Sequence, residues 1–138
     1  MPSGAKSSIV DSGALIAVHD RQDQHHAWAR RVFASLDAPW LTCEPALTET
    51  FFQLEKRPCL ALSDLLRAGI LRVAFDLEID MSAVLNLMEK YADVPMSIAD
   101  ACLVRMSETL PEPVIITTDS DFRIYRRHGR RVVPVLMP

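Results

Sequence analysis

The amino-acid sequence predicts an α/β fold with three layers, in which helices cover both faces of a parallel sheet. Short apolar segments rich in β-branched residues alternate with longer segments that have the periodicity of amphipathic helices. This alternation is typical of parallel strands joined by helices. A length of 138 residues fits one domain. We therefore expect a single domain over residues 1–138, in which residues 1–7 form a flexible N-terminal tail.

Strands and helices alternate from the start of the chain. The predicted strands of the first half cover residues 7–10, 40–42 and 70–74, and the predicted helices cover residues 12–18, 24–36, 45–57 and 60–68. Apolar residues at helical spacing in the second helix are expected to face the core. Pro45 suits the first turn of the third helix, Pro58 is expected to end it, and Gly69 is a typical stop for the fourth.

The same alternation continues in the second half. The predicted helices cover residues 82–91, 96–110 and 119–125, and the predicted strands cover residues 114–117 and 131–136. Pro111 and Pro113 break the chain between a helix and a strand, because proline cannot continue a helix. Pro134 indicates that the last strand lies at an edge of the sheet, where a missing N–H group is tolerated.

Composition excludes several kinds of function. No apolar stretch approaches the roughly 20 residues that cross a bilayer, and the first residues lack a secretory signal, so we expect a cytoplasmic protein without a membrane span. Cys43, Cys59 and Cys102 form no Cys-x-x-Cys motif and the histidines have no metal-binding spacing. Neither a disulfide framework nor a zinc site is predicted. Phe51 and Phe52 are expected in the core, with an interface as the alternative.

A set of acidic residues suggests a site. Asp11 and Asp119 each follow a predicted strand, and sites in parallel sheets form beyond the carboxyl ends of strands. Both could equally be helix caps, while Asp100 could complete a capping box with Ser97. Glu49 lies on a mixed helical face that is typical of a solvated side chain. As a set, the carboxylates favour Mg²⁺ or Mn²⁺, because hard cations take oxygen ligands and relieve repulsion between clustered carboxylates.

These acidic residues lie in segments that resemble the PIN-domain nucleases. The segments are Val10-Asp11-Ser12-Gly13-Ala14-Leu15, Thr48-Glu49, Ser97-Ile98-Ala99-Asp100-Ala101 and Thr117-Thr118-Asp119-Ser120-Asp121-Phe122. Each is weak alone, but their order across one small α/β domain is fairly specific. The resemblance spans roughly residues 9–135, and within the family the chain is most similar to the VapC-type toxins of toxin-antitoxin pairs.

The resemblance implies a fold and a metal site. The fold is a five-stranded parallel sheet in which the strands before Asp11 and Asp119 are neighbours. Catalysis and metal binding fall to the acidic residues of the motifs, which are Asp11, Glu49, Asp100 and Asp119. Asp121 is a further metal position, and Thr117 and Ser12 support the site. The implied activity is that of an endoribonuclease whose Mg²⁺ or Mn²⁺ activates water for attack on an RNA phosphodiester.

The resemblance also implies partners. They are the RNA substrate, a second copy of the chain in a homodimer, and a small antitoxin protein. A net charge of −3 does not indicate a nucleic-acid binder, but the C-terminal region is locally basic. Its arginines are candidates for RNA contact, with a solvated surface as the alternative: Arg123, Arg126, Arg127, Arg130 and Arg131.

Two other interpretations compete with the nuclease. A phosphatase or receiver-like α/β domain also has an aspartate after its first strand. The sequence Asp11-Ser12-Gly13 lacks the Asp-x-Asp of haloacid-dehalogenase phosphatases, and no lysine ends the fourth predicted strand as a receiver requires. The non-enzymatic alternative is a free-standing or degenerate PIN-like module that binds RNA or protein without a toxin role.

Overall fold

A parallel sheet forms the centre of the protein in the computed structural model, which describes residues 6–138. The strands are β1 (Ser7–Val10), β2 (Trp40–Thr42), β3 (Leu71–Val73), β4 (Pro113–Ile116), β5 (Arg126–Arg127), β6 (Arg131–Val132) and β7 (Val135–Leu136). Five of them form the sheet in the order β3-β2-β1-β4-β7, and all neighbours are parallel. β1 and β4 lie side by side in its middle, as the resemblance implied.

Helices connect these strands and cover the sheet. Within the described residues they are α1 (Ser12–His19), α2 (His26–Ala34), α3 (Glu44–Gln53), α4 (Lys56–Arg67), α5 (Leu77–Lys90) and α6 (Ile98–Thr109). A single 3₁₀ turn, Ser120–Arg123, follows β4 where the sequence predicted a helix over residues 119–125.

Side chains of the central strands alternate between two hydrophobic cores, because successive residues of a strand point to opposite faces. Ile9 and Ile115 pack with residues of α5 and α6 on one face. Val10 and Ile116 pack with residues of α1, α2 and α4 on the other face. Every residue of β1 is buried, as is usual for a central parallel strand. The predicted three-layer α/β/α class is confirmed.

Two helix boundaries differ from the prediction. α3 ends at Gln53 and α4 begins at Lys56, so Pro58 lies in the first turn of α4 instead of ending α3. Proline is tolerated there because N–H groups of the first turn have no partner within the helix. α5 begins at Leu77 rather than at residue 82, because the Asp76 side chain caps it by accepting a hydrogen bond from the Glu78 N–H group at 3.1 Å.

The predicted last strand over residues 131–136 is two strands. β6 pairs antiparallel with β5 in a hairpin, whereas β7 joins the sheet beside β4. Pro134 lies between them, and its carbonyl accepts a hydrogen bond from the Ile115 N–H group at 2.9 Å. Because proline has no N–H group to donate, it separates the two pairings. The prediction that the last strand lies at an edge of the sheet is confirmed, because β7 is an edge strand.

The surface and the N-terminus give three further results. Residues 1–5 of the predicted tail lie outside the described residues, but Ser7 is buried in β1 and donates its N–H to the Glu112 carbonyl at 3.1 Å. Phe52 is 86% exposed, so its predicted place in the core is wrong, whereas Phe51 packs against the core.

No helix within residues 6–138 has the length and apolarity to cross a membrane.

Candidate functional site

The candidate site lies at the carboxyl ends of β1 and β4. From this pair the chain continues to β2 and β3 on one side and to β7 on the other, so the strand order reverses here. Crevices at such reversals are where α/β proteins bind ligands. Asp11 follows β1 and Thr117 follows β4, and the Asp11 N–H group donates to the Ile116 carbonyl at 3.0 Å. The pairing of the two strands therefore places both residues next to each other.

Asp11 is a buried carboxylate held on both of its oxygens. The Thr117 hydroxyl donates to Oδ2 at 2.7 Å, and the Ser12 backbone N–H donates to Oδ1 at 2.7 Å. The side chain caps α1 through the second of these bonds, so the capping alternative and a functional role coexist. Only 4% of the residue is exposed. The pKa of Asp11 is raised to about 7, mainly by burial and also by the charges of Asp100 and Glu49, while the hydrogen bonds from Thr117 and Ser12 oppose the rise.

Glu49 reaches the same region from α3. The Ser12 hydroxyl donates to Glu49 Oε1 at 3.0 Å and lies 3.4 Å from Asp11 Oδ1. Ser12 thus links an exposed glutamate to a buried aspartate, and the negative charge of Glu49 contributes to the raised pKa of Asp11. Glu49 is therefore exposed, as its helical periodicity predicted, and it also lies beside the site.

Asp100 lies in the first turn of α6, where Ser97 caps the helix. The Ser97 Oγ accepts a hydrogen bond from the Asp100 N–H group at 3.0 Å, as the capping-box alternative predicted. The Asp100 carboxylate has a second role, because the Tyr125 hydroxyl donates to its Oδ2 at 2.8 Å. Burial raises the pKa of Asp100, the charge of Asp119 raises it further, and the Tyr125 and Ser97 hydrogen bonds oppose the rise.

Asp119 and Asp121 enter the site on the 3₁₀ turn after β4. Asp119 caps this turn, since its Oδ1 accepts a hydrogen bond from the Asp121 N–H group at 2.9 Å. The Asp119 N–H group donates to Thr117 Oγ1 at 3.0 Å. Because the same Thr117 hydroxyl donates to Asp11, it positions the aspartates that follow both central strands.

Electrostatic interactions show which of these carboxylates lie close enough to influence one another. The charges of Asp100 and Glu49 act on Asp11, and the charge of Asp119 acts on Asp100. Asp121 lies near Tyr125, because its charge and that of Asp119 help to raise the pKa of the Tyr125 hydroxyl, of which burial is the main cause. The acidic residues predicted from the sequence are therefore neighbours rather than scattered.

The donor set matches a hard cation, but it is not a closed cage. Among residues 6–138, no group of three His, Cys, Asp or Glu side chains is arranged to hold an ion by itself. Mg²⁺ is commonly bound by one or two carboxylates together with water and substrate phosphate. A buried aspartate whose pKa is raised by neighbouring carboxylates is a position that a cation would stabilise in its charged form. Carboxylate and hydroxyl oxygens of this kind are the donors that Mg²⁺ and Mn²⁺ take in such open sites.

Tyr125 contacts a candidate site residue, and sequence reasoning missed it. The sequence predicted it only as the end of a short helix, whereas its buried ring packs edge-on against Phe122 and Tyr91 and its hydroxyl contacts Asp100. A buried tyrosine hydroxyl usually finds a hydrogen-bond partner. That general rule was the one available signal, but the identity of the partner depends on how the segment after the 3₁₀ turn lies relative to α6.

The arginines of the C-terminal region fall into a partly buried pair, Arg126 and Arg127, and an exposed group. Arg126 is structural, because its Nη1 donates to the carbonyls of Arg123, Ile124 and Tyr125. Arg127 lies beside His128, and its Nε is buried without a hydrogen-bond partner. The exposed members are Arg123, Arg130 and Arg131. In the described part of the chain, none of the five predicted contact arginines forms a salt bridge.

Comparison with known proteins agrees with this geometry. A family model described as PIN domain matches residues 8–127, a range that includes each of the acidic residues discussed above. A search among curated proteins finds no match. The matched range covers most of the chain and contains β4, all of β1 except Ser7, and each helix of the described residues. The chain therefore belongs to the PIN domain family, whose members are usually nucleases.

Proposed function

We propose that this protein is a Mg²⁺- or Mn²⁺-dependent endoribonuclease that acts as the toxin of a toxin-antitoxin pair. The observation that carries the proposal is the environment of Asp11. This carboxylate is buried at the strand reversal, held by Thr117, and kept at a raised pKa by burial and by Asp100 and Glu49. A buried acid that is crowded by other acids is typical of a functional site.

The acidic residues have distinct roles in this proposal. Asp11 and Asp100 are the inner metal ligands, since both are at least half-buried and fixed by hydroxyl donors. Glu49, Asp119 and Asp121 would complete the set of oxygen donors around such a cation. A cation held by these residues would supply a water activated for attack on phosphorus and positive charge for the leaving oxygen. Ser12 and Thr117 keep the carboxylate oxygens in position.

The decisive test combines metal binding with cleavage. Calorimetric titration with Mg²⁺ and Mn²⁺ should show binding to the wild-type protein. The same preparation should cut a labelled single-stranded RNA, yield products with 5′-phosphate ends, and lose this activity when a chelator is added. RNA binding without metal-dependent cleavage would instead support the alternative of a non-catalytic PIN-like module.

The proposed toxin role rests on the resemblance to VapC-type toxins. The same resemblance leads us to propose that the protein forms a homodimer and binds a cognate antitoxin. Expression of the wild-type chain should arrest bacterial growth. Co-expression of the protein encoded by a short neighbouring reading frame should relieve that arrest and yield a complex that co-purifies. Growth arrest that persists in an Asp11→Asn variant would contradict a toxicity that depends on cleavage.

The exposed arginines are proposed to bind RNA phosphates. A triple variant, Arg123→Ala with Arg130→Ala and Arg131→Ala, should flatten the dependence of RNA affinity on salt. Each phosphate contact contributes roughly 0.7 to the slope of log K against log salt on single strands, so the slope should fall by roughly 2. Arg126 is left intact because it holds backbone carbonyls.

A matched control for this experiment changes the same charge elsewhere. Arg30, Arg31 and Arg67 are exposed on α2 and α4, away from the C-terminal arginines. The corresponding triple alanine variant should keep the wild-type slope. Equal slopes for both triple variants would reject the assignment of the C-terminal arginines to RNA.

Tyr125→Phe is expected to weaken Mg²⁺ binding without unfolding the protein. The variant keeps the buried ring and removes the hydroxyl that orients the Asp100 carboxylate. Outer partners of metal ligands typically contribute 10- to 100-fold in affinity, so we expect a loss of roughly 10-fold in a calorimetric titration. Tyr91→Phe is the control, because the Tyr91 hydroxyl accepts a bond from the Arg126 N–H group rather than contacting Asp100. Equal Mg²⁺ affinity in the two variants would contradict this role.

A further inference from the structure

We propose that a groove beside Glu49 binds an unstacked nucleobase next to the phosphate that is cut. This groove, called here the Phe52 groove, is lined by Ser12, Ile16, Thr48, Glu49, Phe52 and Gln53. The proposal rests on the proposed ribonuclease function and names the form of its substrate, a single-stranded RNA whose base is turned out of the stack.

The position of the Phe52 groove links it to the carboxylate site. Ser12 and Glu49 belong to both, and the Ser12 hydroxyl that donates to Glu49 also lies 3.4 Å from Asp11 Oδ1. A group that fills the groove is therefore adjacent to the carboxylates that would surround the phosphate. The base and the phosphate of one nucleotide are separated by a single sugar, so the two sites suit neighbouring parts of one substrate.

Phe52 is the most exposed large apolar side chain of the described residues. It is 86% exposed although other faces of α3 bury Ala46 and Thr50 completely. It stands three positions after Glu49, and residues at that spacing share one face of a helix. A phenylalanine that remains exposed beside Glu49 contributes little to the stability of the fold. An aromatic ring in that position can, however, stack on a base.

The remaining lining fits the rest of a base. Ile16 supplies an apolar contact, and the Gln53 side chain offers both an amide donor and a carbonyl acceptor for polar groups on a base edge. The Thr48 hydroxyl donates to the Glu44 carbonyl at 3.0 Å, which leaves its lone pairs free to accept. Glu49 disfavours an anion in the groove, so a neutral ring is the suitable occupant.

The size of the Phe52 groove agrees with one flat ring and its immediate neighbours. Its volume is about 380 Å³, near the lower end of the roughly 300–1,000 Å³ typical of small-ligand sites. Single-stranded RNA presents such rings, since its unstacked bases can be splayed out against aromatic side chains. A base in a regular duplex is stacked on both faces and could not enter.

The test measures the interaction between Phe52 and one base of the substrate. The probes are a fluorescein-labelled short single-stranded RNA whose cut site has been mapped, and the same RNA with an abasic nucleotide beside that site. Phe52→Ala should weaken binding of the intact RNA roughly 10-fold, as expected for loss of one stacked base. Phe52→Trp should retain affinity. On the abasic RNA, wild type and Phe52→Ala should bind equally.

Controls separate this inference from folding and from the proposed function. Ile79→Ala removes an apolar side chain that is 80% exposed on α5 and should bind both RNAs like wild type. If wild type cuts RNA and Phe52→Ala binds the intact RNA with unchanged affinity, the base site is overturned alone, and the Phe52 groove is left to a protein segment. If wild type neither binds nor cuts RNA, the base site and the ribonuclease both fail.

Discussion

Asp11→Asn is expected to abolish RNA cleavage while leaving the protein folded. Asparagine keeps the size of the side chain and an oxygen for one of the two hydrogen bonds that hold Asp11, but it removes the negative charge at the centre of the site. Loss of an inner ligand should reduce cleavage by about 100-fold or more, beyond the effect typical of outer partners. Gel assays of labelled RNA with saturating Mg²⁺ measure this loss.

Two further variants test whether the loss is specific to the site: a second site variant and a control with the same change of charge. Asp100→Asn should have the same effect, because Asp100 lies close enough to Asp11 for its charge to raise the pKa of Asp11. Asp93→Asn removes one carboxylate charge from an exposed position after α5 and should cut RNA at the wild-type rate. Circular dichroism should show the same secondary structure in all three proteins. Full activity of a folded Asp11→Asn or Asp100→Asn protein would end the nuclease proposal.

Without metal, the free energy of unfolding is expected to fall as the pH rises from about 4 to 7. The pKa of Asp11 is raised from 3.8 to about 7 in the folded protein. Between these values the folded state holds a proton that the unfolded chain has released, so higher pH favours unfolding. The contribution of the Asp11 proton to the free energy of unfolding is complete below about pH 4, and it is lost as the pH rises through about 7. Asp100 acts in the same direction, because its pKa is also raised.

The Asp11→Asn variant isolates this contribution. It carries no charge at any pH, so in the presence of a chelator it should be more stable than wild type at pH 8. The change in pKa corresponds to at most about 4 kcal/mol. The loss of one hydrogen bond reduces this gain by about 1 kcal/mol. Urea unfolding of both proteins at pH 5 and pH 8 tests the expectation, and a stability difference that is equal at the two pH values would contradict it.

Addition of Mg²⁺ connects this experiment to the proposed site. A cation that binds the ionised carboxylates stabilises the folded state by mass action. Wild-type protein at pH 8 should therefore become more stable with Mg²⁺, whereas Asp11→Asn should respond weakly. Stabilisation of equal size in both proteins would place the binding site away from Asp11.

Local sequence patterns determined much of the fold. The short β-branched segments before Asp11 and before Thr117 form β1 and β4, and both aspartates that follow the strands lie at the carboxyl edge of the sheet. These predictions succeed because a buried strand and a helix cap depend mainly on residues close in the chain. Pro58 shows where such reasoning fails, since proline both ends helices and occupies their first turn.

The assembly of the site depended on contacts between distant segments. Periodicity indicated a solvated Glu49, and only the packing of α3 beside α1 brings it to Ser12. Tyr125 had no recognisable role in the sequence, because its bond to Asp100 joins the segment after the 3₁₀ turn to α6. The aromatic character of Phe52 indicated the core, whereas its position on α3 turns it toward solvent.

By itself, the sequence determined the α/β class and the strand-end positions of Asp11 and Asp119, and it predicted a set of oxygen ligands for a hard cation, which remains a prediction. The tertiary structure alone decided that Thr117 holds both strand ends, that Tyr125 holds Asp100, and that Phe52 lies open beside the carboxylates. The physical reason is that burial, repulsion between charges and hydrogen bonds across a site depend on distances in space. Residues 11 and 117 are far apart in the chain, and only the parallel pairing of β1 with β4 brings them together.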